Sequence, residues 1–152
     1  MSTHRGRHVR RAAMALCCAL VPRLALATCG VEAGALALGA YDFRSDTALS
    51  SAGRIVVTCD TAADYRVTLS PGAGQYTQRL LTNAGHTLAY NLYVDVNHTM
   101  VWGDGTGATV TASGHMDGTT TSSDLVIYGL IPARQNPWPG TYSDAIVVTL
   151  TF

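Results

Sequence analysis

Apolar positions in this chain fall in short runs, without the three-to-four-residue rhythm of an amphipathic helix. Arg54–Cys59, Tyr65–Leu69, Leu88–Val94, Leu125–Tyr128 and Tyr142–Phe152 are rich in Val, Ile, Tyr and Thr, residues that suit a pleated, half-buried surface. Between them, Pro71-Gly72-Ala73-Gly74, Gly103-Asp104-Gly105 and Asn136-Pro137-Trp138-Pro139-Gly140 carry turn chemistry. Short strands with frequent punctuation predict an all-β antiparallel sandwich.

The last run is the most regular: Ile146, Val148, Leu150 and Phe152 alternate with Ala145, Val147, Thr149 and Thr151 up to the final residue. Termini fray unless tied down, so this strand is expected to need neighbours on both sides. One account makes it an interior strand fully paired within the domain. The other makes it an open edge that another chain completes by donating a strand.

The start of the chain reads differently. Arg5, Arg7, Arg10 and Arg11 precede an apolar run from Ala12 to Val21, and Ala25-Leu26-Ala27 is a small-x-small cleavage pattern. Residues 1–27 are therefore expected to be a secretory signal peptide, with residues 28–152 forming one domain. Pro22 and Arg23 break the run well short of the roughly 20 residues that span a bilayer, so no membrane span is expected. A lipid anchor on Cys29 fits poorly, because Thr28 precedes the cysteine and lipidation would strip Cys59 of its partner. The reading places the mature protein in an oxidising compartment outside the cytoplasm.

Export changes the charge balance. The chain has ten arginines, no lysine and ten acidic residues; five arginines lie in 1–27, leaving five against ten, or −5. Such a surface argues against nucleic acid, which is bound by clustered cations. Cys17 and Cys18 leave with the signal, so Cys29 and Cys59 are expected to form one disulfide. Closing that loop removes roughly 3 to 4 kcal/mol of unfolded-state freedom in the chain-entropy model. A two-cysteine metal site lacks histidines nearby in sequence.

Catalytic signatures are weak. There is no Gly-x-Ser-x-Gly elbow, no free Cys-His pair once the cysteines are bonded, and no lysine after Gly103–Gly107 to make a phosphate loop. His86, His98 and His115 with Asp95, Asp104 and Asp117 lack metal-ligand spacing, and Asp95-x-Asn97 starts a calcium loop without enough oxygens to finish one. No cofactor is implied, and the chain is not expected to be an enzyme. The sequon Asn97-His98-Thr99 is assigned no role. Trp138, Trp102 and Tyr76 are the candidate stacking or adhesive surface, for a glycan or an apolar face. Trp138, flanked by Pro137 and Pro139, is the best placed for exposure, and at least one tryptophan is expected in the core.

Several segments in order carry a resemblance. Leu38-Gly39-Ala40-Tyr41-Asp42, Ile55-Val56-Val57-Thr58-Cys59, Tyr65-Arg66-Val67-Thr68-Leu69 and Arg79-Leu80-Leu81 are followed by Leu88-Ala89-Tyr90-Asn91-Leu92-Tyr93. Then come Trp102-Gly103-Asp104-Gly105-Thr106-Gly107, Tyr128-Gly129 and Gly140-Thr141-Tyr142-Ser143-Asp144. With the two cysteines and the terminal strand, the chain resembles the spore coat protein U family, which includes subunits of archaic chaperone-usher pili.

The resemblance implies an incomplete immunoglobulin-like sandwich lacking its final strand. Its partners would be a periplasmic pilus chaperone, an usher and a neighbouring pilus subunit whose extension completes the fold. Ile146, Val148, Leu150 and Phe152 would then border the chaperone and donor-strand groove. Cleavage after Ala27 would leave no donor extension, so such a subunit could accept a strand but not give one, as at a tip or cap. The alternative is a self-contained secreted sandwich, spore-coat-like or carbohydrate-binding.

Overall fold

The computed structural model describes residues 26–152, and the signal-peptide reading lies almost wholly outside them. The described residues hold ten strands and no helix. In chain order these are β1 (Cys29–Ala33), β2 (Leu49–Cys59), β3 (Ala63–Leu69), β4 (Arg79–Asn83) and β5 (His86–Tyr93). They continue as β6 (Val101–Trp102), β7 (Thr109–Val110), β8 (Ala112–Met116), β9 (Ser122–Ile131) and β10 (Val148–Thr151).

One sheet runs β1-β2-β9-β5-β6-β7, with β4 added on β5; the other is β10-β3-β8. The long antiparallel pair β2–β9 keeps register from Leu49↔Ile131 to Thr58↔Ser122 and forms the spine of the larger sheet. Side chains alternate as a two-faced sheet requires. Ile55, Val57 and Cys59 point inward from β2 and Tyr65, Val67 and Leu69 from β3, while Arg54, Asp64 and Arg66 stay exposed.

The expected strands at 54–59, 65–69 and 125–128 lie inside β2, β3 and β9, and 88–94 matches β5 to within two residues. Cys29 and Cys59 sit opposite each other in the β1–β2 ladder and form a disulfide.

The terminal run differs from expectation: only Val148–Thr151 is strand, where 142–152 was predicted. Upstream of Val148 the chain meets side chains and single bridges in place of a ladder. Thr82 and Ser143 exchange two backbone hydrogen bonds, and the Asp144 carboxylate takes the amide protons of Ala73 and Ala145. β10 pairs with β3 alone. It is an edge strand, which excludes the fully paired interior account. Phe152 lies beyond it, 55% exposed.

Candidate functional site

Above β10 the two sheets do not close over each other. An apolar cleft of about 980 Å³ opens onto the core, with Ile55, Leu81, Leu88, Tyr90, Leu92 and Ile131 in its lining. Two extended segments, 34–43 and 137–148, make its walls.

The first wall continues from β1. Its residues 34–40 form no strand and make no backbone–backbone hydrogen bond among the described residues, so its main-chain donors and acceptors are available for a partner. Side chains hold it instead. Leu36 and Leu38 sit over Gly53 and Gly129; a Cβ on Gly129 would stand 2.5 Å from Leu38 Cδ2, and one on Gly53 3.0 Å from Leu36 Cδ1. The two glycines make a notch in the floor that accepts the leucines. At the far end the Tyr41 phenol donates to the Pro132 carbonyl at 3.0 Å and accepts the Gln135 amide at 2.7 Å. The Gln135 side chain in turn pairs with both main-chain groups of Ala89, at 2.8 and 2.9 Å, standing in for a strand neighbour.

The second wall leads into β10. Asp144 pins it: Oδ1 accepts from Ala73 N at 3.0 Å and Ala145 N at 2.8 Å, and Oδ2 accepts from the Tyr90 phenol at 2.8 Å. Gly72, at φ 66°, lies against this carboxylate where a side chain would collide. Ser70 closes the join to β10, its amide bonding Val147 O and its hydroxyl oxygen accepting Val147 N, both at 2.9 Å.

Beside the cleft floor lies a charge that sequence patterning did not reveal. Arg79 is 0% exposed. Its guanidinium donates to Ser70 O, to Asn91 Oδ1 at 2.6 Å and to Trp102 O at 2.7 Å, and stands 5.5 Å from the Tyr76 ring centre. A buried charge is tolerated only when its donors are met, and here every acceptor is neutral. Burial lowers its pKa from the ordinary value and raises that of Tyr90, with the Asp144 bond acting in the same direction.

The structure separates the expected site residues. Ile146 and Val148 line the cleft; Leu150 packs half-buried against the core below it, and Phe152 is exposed. The three aromatics do not share a surface. Trp138 is 66% exposed at the cleft rim. Trp102 is fully buried, its indole N–H donating to Val67 O at 3.0 Å, because β6 carries it into the core. Tyr76 is half-buried, with its phenol on Leu69 O at 3.1 Å. Trp102 therefore presents no surface to a ligand, and Tyr76 presents only part of its ring.

Asp95, Asp104 and Asp117 each accept hydrogen bonds from nearby threonines in their own loops, and His115 pairs with Asp64 at 2.7 Å. Among the described residues no three His, Cys, Asp or Glu side chains come together as a metal site, and no helix is long and apolar enough to cross a membrane.

A family model described as Spore Coat Protein U domain matches residues 15–149, a stretch that begins within the expected leader. Protein U of Myxococcus xanthus is 32% identical over 139 residues, covering 81% of this chain and 74% of the relative. A similar solved structure is the chaperone–tip adhesion subunit pre-assembly complex from the archaic chaperone-usher Csu pili of Acinetobacter baumannii. It matches with a TM-score of 0.61 at 20% identity, over 84% of this chain and 40% of that one. The chain thus spans less than half the length of that solved chain, and the likeness bears on fold: an immunoglobulin-like β-sandwich. The family match over most of its length and the shared identity with Protein U together show that the chain belongs to the Spore Coat Protein U domain family.

Proposed function

We propose that this chain is a structural subunit of a chaperone-usher type surface fibre, completed by a strand donated from another chain. The observation that carries the reading is the unpaired edge of β10 beside an open apolar cleft whose other wall, residues 34–40, also lacks backbone partners. An added strand would gain main-chain hydrogen bonds from these edges and place alternate side chains on the floor. Left open, the same edges favour aggregation.

Export by residues 1–27, capture by an immunoglobulin-like periplasmic chaperone, passage through an usher and surface display belong to this reading. A tip or capping position is the finer part of it. The solved complex of similar fold contains a tip adhesion subunit, which supports that position. The pegging of Leu36 and Leu38 into the glycine notch favours a second reading, a self-contained secreted coat domain, since it partly shields the core without a partner.

Purification of the untagged protein from the native periplasm distinguishes them. The fibre reading expects a complex with a chaperone, a subunit mass two protons below the reduced value, and loss of the complex on Ile146→Asp or Val148→Asp. A stable partner-free monomer would overturn it and leave the coat domain.

A further inference from the structure

A small cluster at the cleft end of the sandwich has chemistry that strand addition does not use. The β4–β5 hairpin turns through Ala84 at φ 45° and Gly85 at φ 88°. Positive φ at both central residues is the tight hairpin geometry, and Ala84 holds it without the freedom of glycine. The turn places Asn83 opposite His86 and brings both against the 136–141 loop. The His86 imidazole stacks on the Trp138 indole with centroids 5.0 Å apart and planes 23° from parallel. The Asn83 amide nitrogen abuts Gly140.

The indole is held rather than loose. Pro137 and Pro139 restrict the backbone on either side of it, and the Tyr142 phenol donates to the Trp138 carbonyl at 2.9 Å. With His86 on one side, Trp138 is still 66% exposed. Leaving that much apolar surface in water forgoes the stabilisation its burial would give. Beside it stand one amide and one imidazole, each able to donate and accept. Among the described residues neither has a protein hydrogen-bond partner, and neither is sealed from solvent. The cluster holds no lysine or arginine, and Arg134, four positions before Trp138 in the chain, is engaged with Asp46 at 2.9 Å.

We propose that Trp138, His86 and Asn83 form a binding platform for a neutral glycan. The open face of the indole stacks on the C–H face of a pyranose ring, whose hydrogens meet the negative face of the π-system; His86 backs the opposite face and fixes the indole, and the Asn83 amide bonds hydroxyls at the ring's edge. The chemistry is independent of strand addition, although Trp138 also stands at the rim of the cleft.

The two tryptophans make the test direct, because Trp102 is fully buried and the red-shifted, quenchable emission belongs to Trp138. The full chain, secreted and processed by its producing cell, is titrated with cellotetraose, chitotetraose and mannotetraose while emission wavelength and acrylamide quenching are followed. The platform requires a saturable blue shift and protection of Trp138 with at least one sugar. It also requires loss of the response on Trp138→Ala, and roughly fivefold weaker binding on Asn83→Ala with unchanged melting temperature, as the loss of one hydrogen bond predicts. No response to any of the three sugars overturns it. So does a response that Asn83→Ala and His86→Ala leave intact, or protection of Trp138 only in samples that carry a strand-donating partner, which would make the indole part of the strand's seat.

Discussion

The Tyr90 phenol donates a 2.8 Å hydrogen bond to Asp144 Oδ2, joining the floor of the cleft to the wall that leads into the terminal strand. Tyr90→Phe keeps the ring in the core and removes one partner from the carboxylate, a change expected to lower stability by roughly 1 to 2 kcal/mol in urea unfolding at pH 7. Burial first, and then this bond, raise the Tyr90 pKa above its ordinary 10.0. A raised folded pKa means that the neutral phenol's contribution is fully present below pH 10 and is lost as pH climbs beyond it. The gap between wild type and Tyr90→Phe should therefore narrow above pH 10; a constant gap would detach the bond from the stability of the wall.

The glycine notch under Leu36 and Leu38 gives a paired test. Gly129→Ala sets a methyl 2.5 Å from Leu38 Cδ2 and 3.1 Å from Leu36 Cδ2, so the strap must lift or the strand must shift, at a cost of about 1 to 3 kcal/mol. Gly34→Ala meets nothing within 4 Å and should be nearly silent. Limited proteolysis followed by mass spectrometry should find faster cleavage within 34–41 in the first variant and not in the second.

What could be read from the chain alone depended on how far each residue's environment followed from its neighbours in sequence. Ile55–Cys59 and Tyr65–Leu69 alternate because one face meets the core, and they were legible as strands for that reason. The terminal run alternates just as well, yet only Val148–Thr151 joins a ladder, since a strand also needs a partner and periodicity does not report one. Trp102 and Arg79 show a second limit. A two-residue strand gives no period to read, so the burial of Trp102 depends on Val67, 35 positions away. Arg79 was legible as part of a family segment but not as a buried cation, because its acceptors at Ser70, Asn91 and Trp102 converge only in the fold. Trp138 was better exposed than its companions for a local reason, the two prolines beside it.

Removing the cross-strand disulfide should destabilise the domain without redirecting its fold. The paired replacement Cys29→Ser, Cys59→Ser frees a loop with a sequence separation of 30 residues, worth roughly 3 to 4 kcal/mol in the chain-entropy account. Urea midpoints for the oxidised, reduced and double-serine forms should fall into two groups, with the last two alike.

Asp117 gives a marker for acid. Its carboxylate accepts the Thr120 amide, the Thr119 hydroxyl and the Thr119 amide, and these bonds lower its pKa to about 2. A lowered folded pKa contributes stability that is present above the ordinary carboxylate value of 3.8 and is lost as pH falls through about 2. Carboxyl-carbon NMR should find this group among the last to protonate. A midpoint near 3.8 would mean that the 117–120 turn is not held by the carboxylate in solution.

Arg79 sets the order in which acid would act on the molecule. Its acceptors are two main-chain carbonyls and an amide oxygen, none of which gains a proton where carboxylates do, so its direct hydrogen bonds are not titrated by acid. The aspartates of lowered pKa close the peripheral loops at Asp60, Asp95, Asp104 and Asp117. Falling pH should therefore loosen the rim while the interior hydrogen bonds persist, leaving a sandwich with frayed corners and an intact heart.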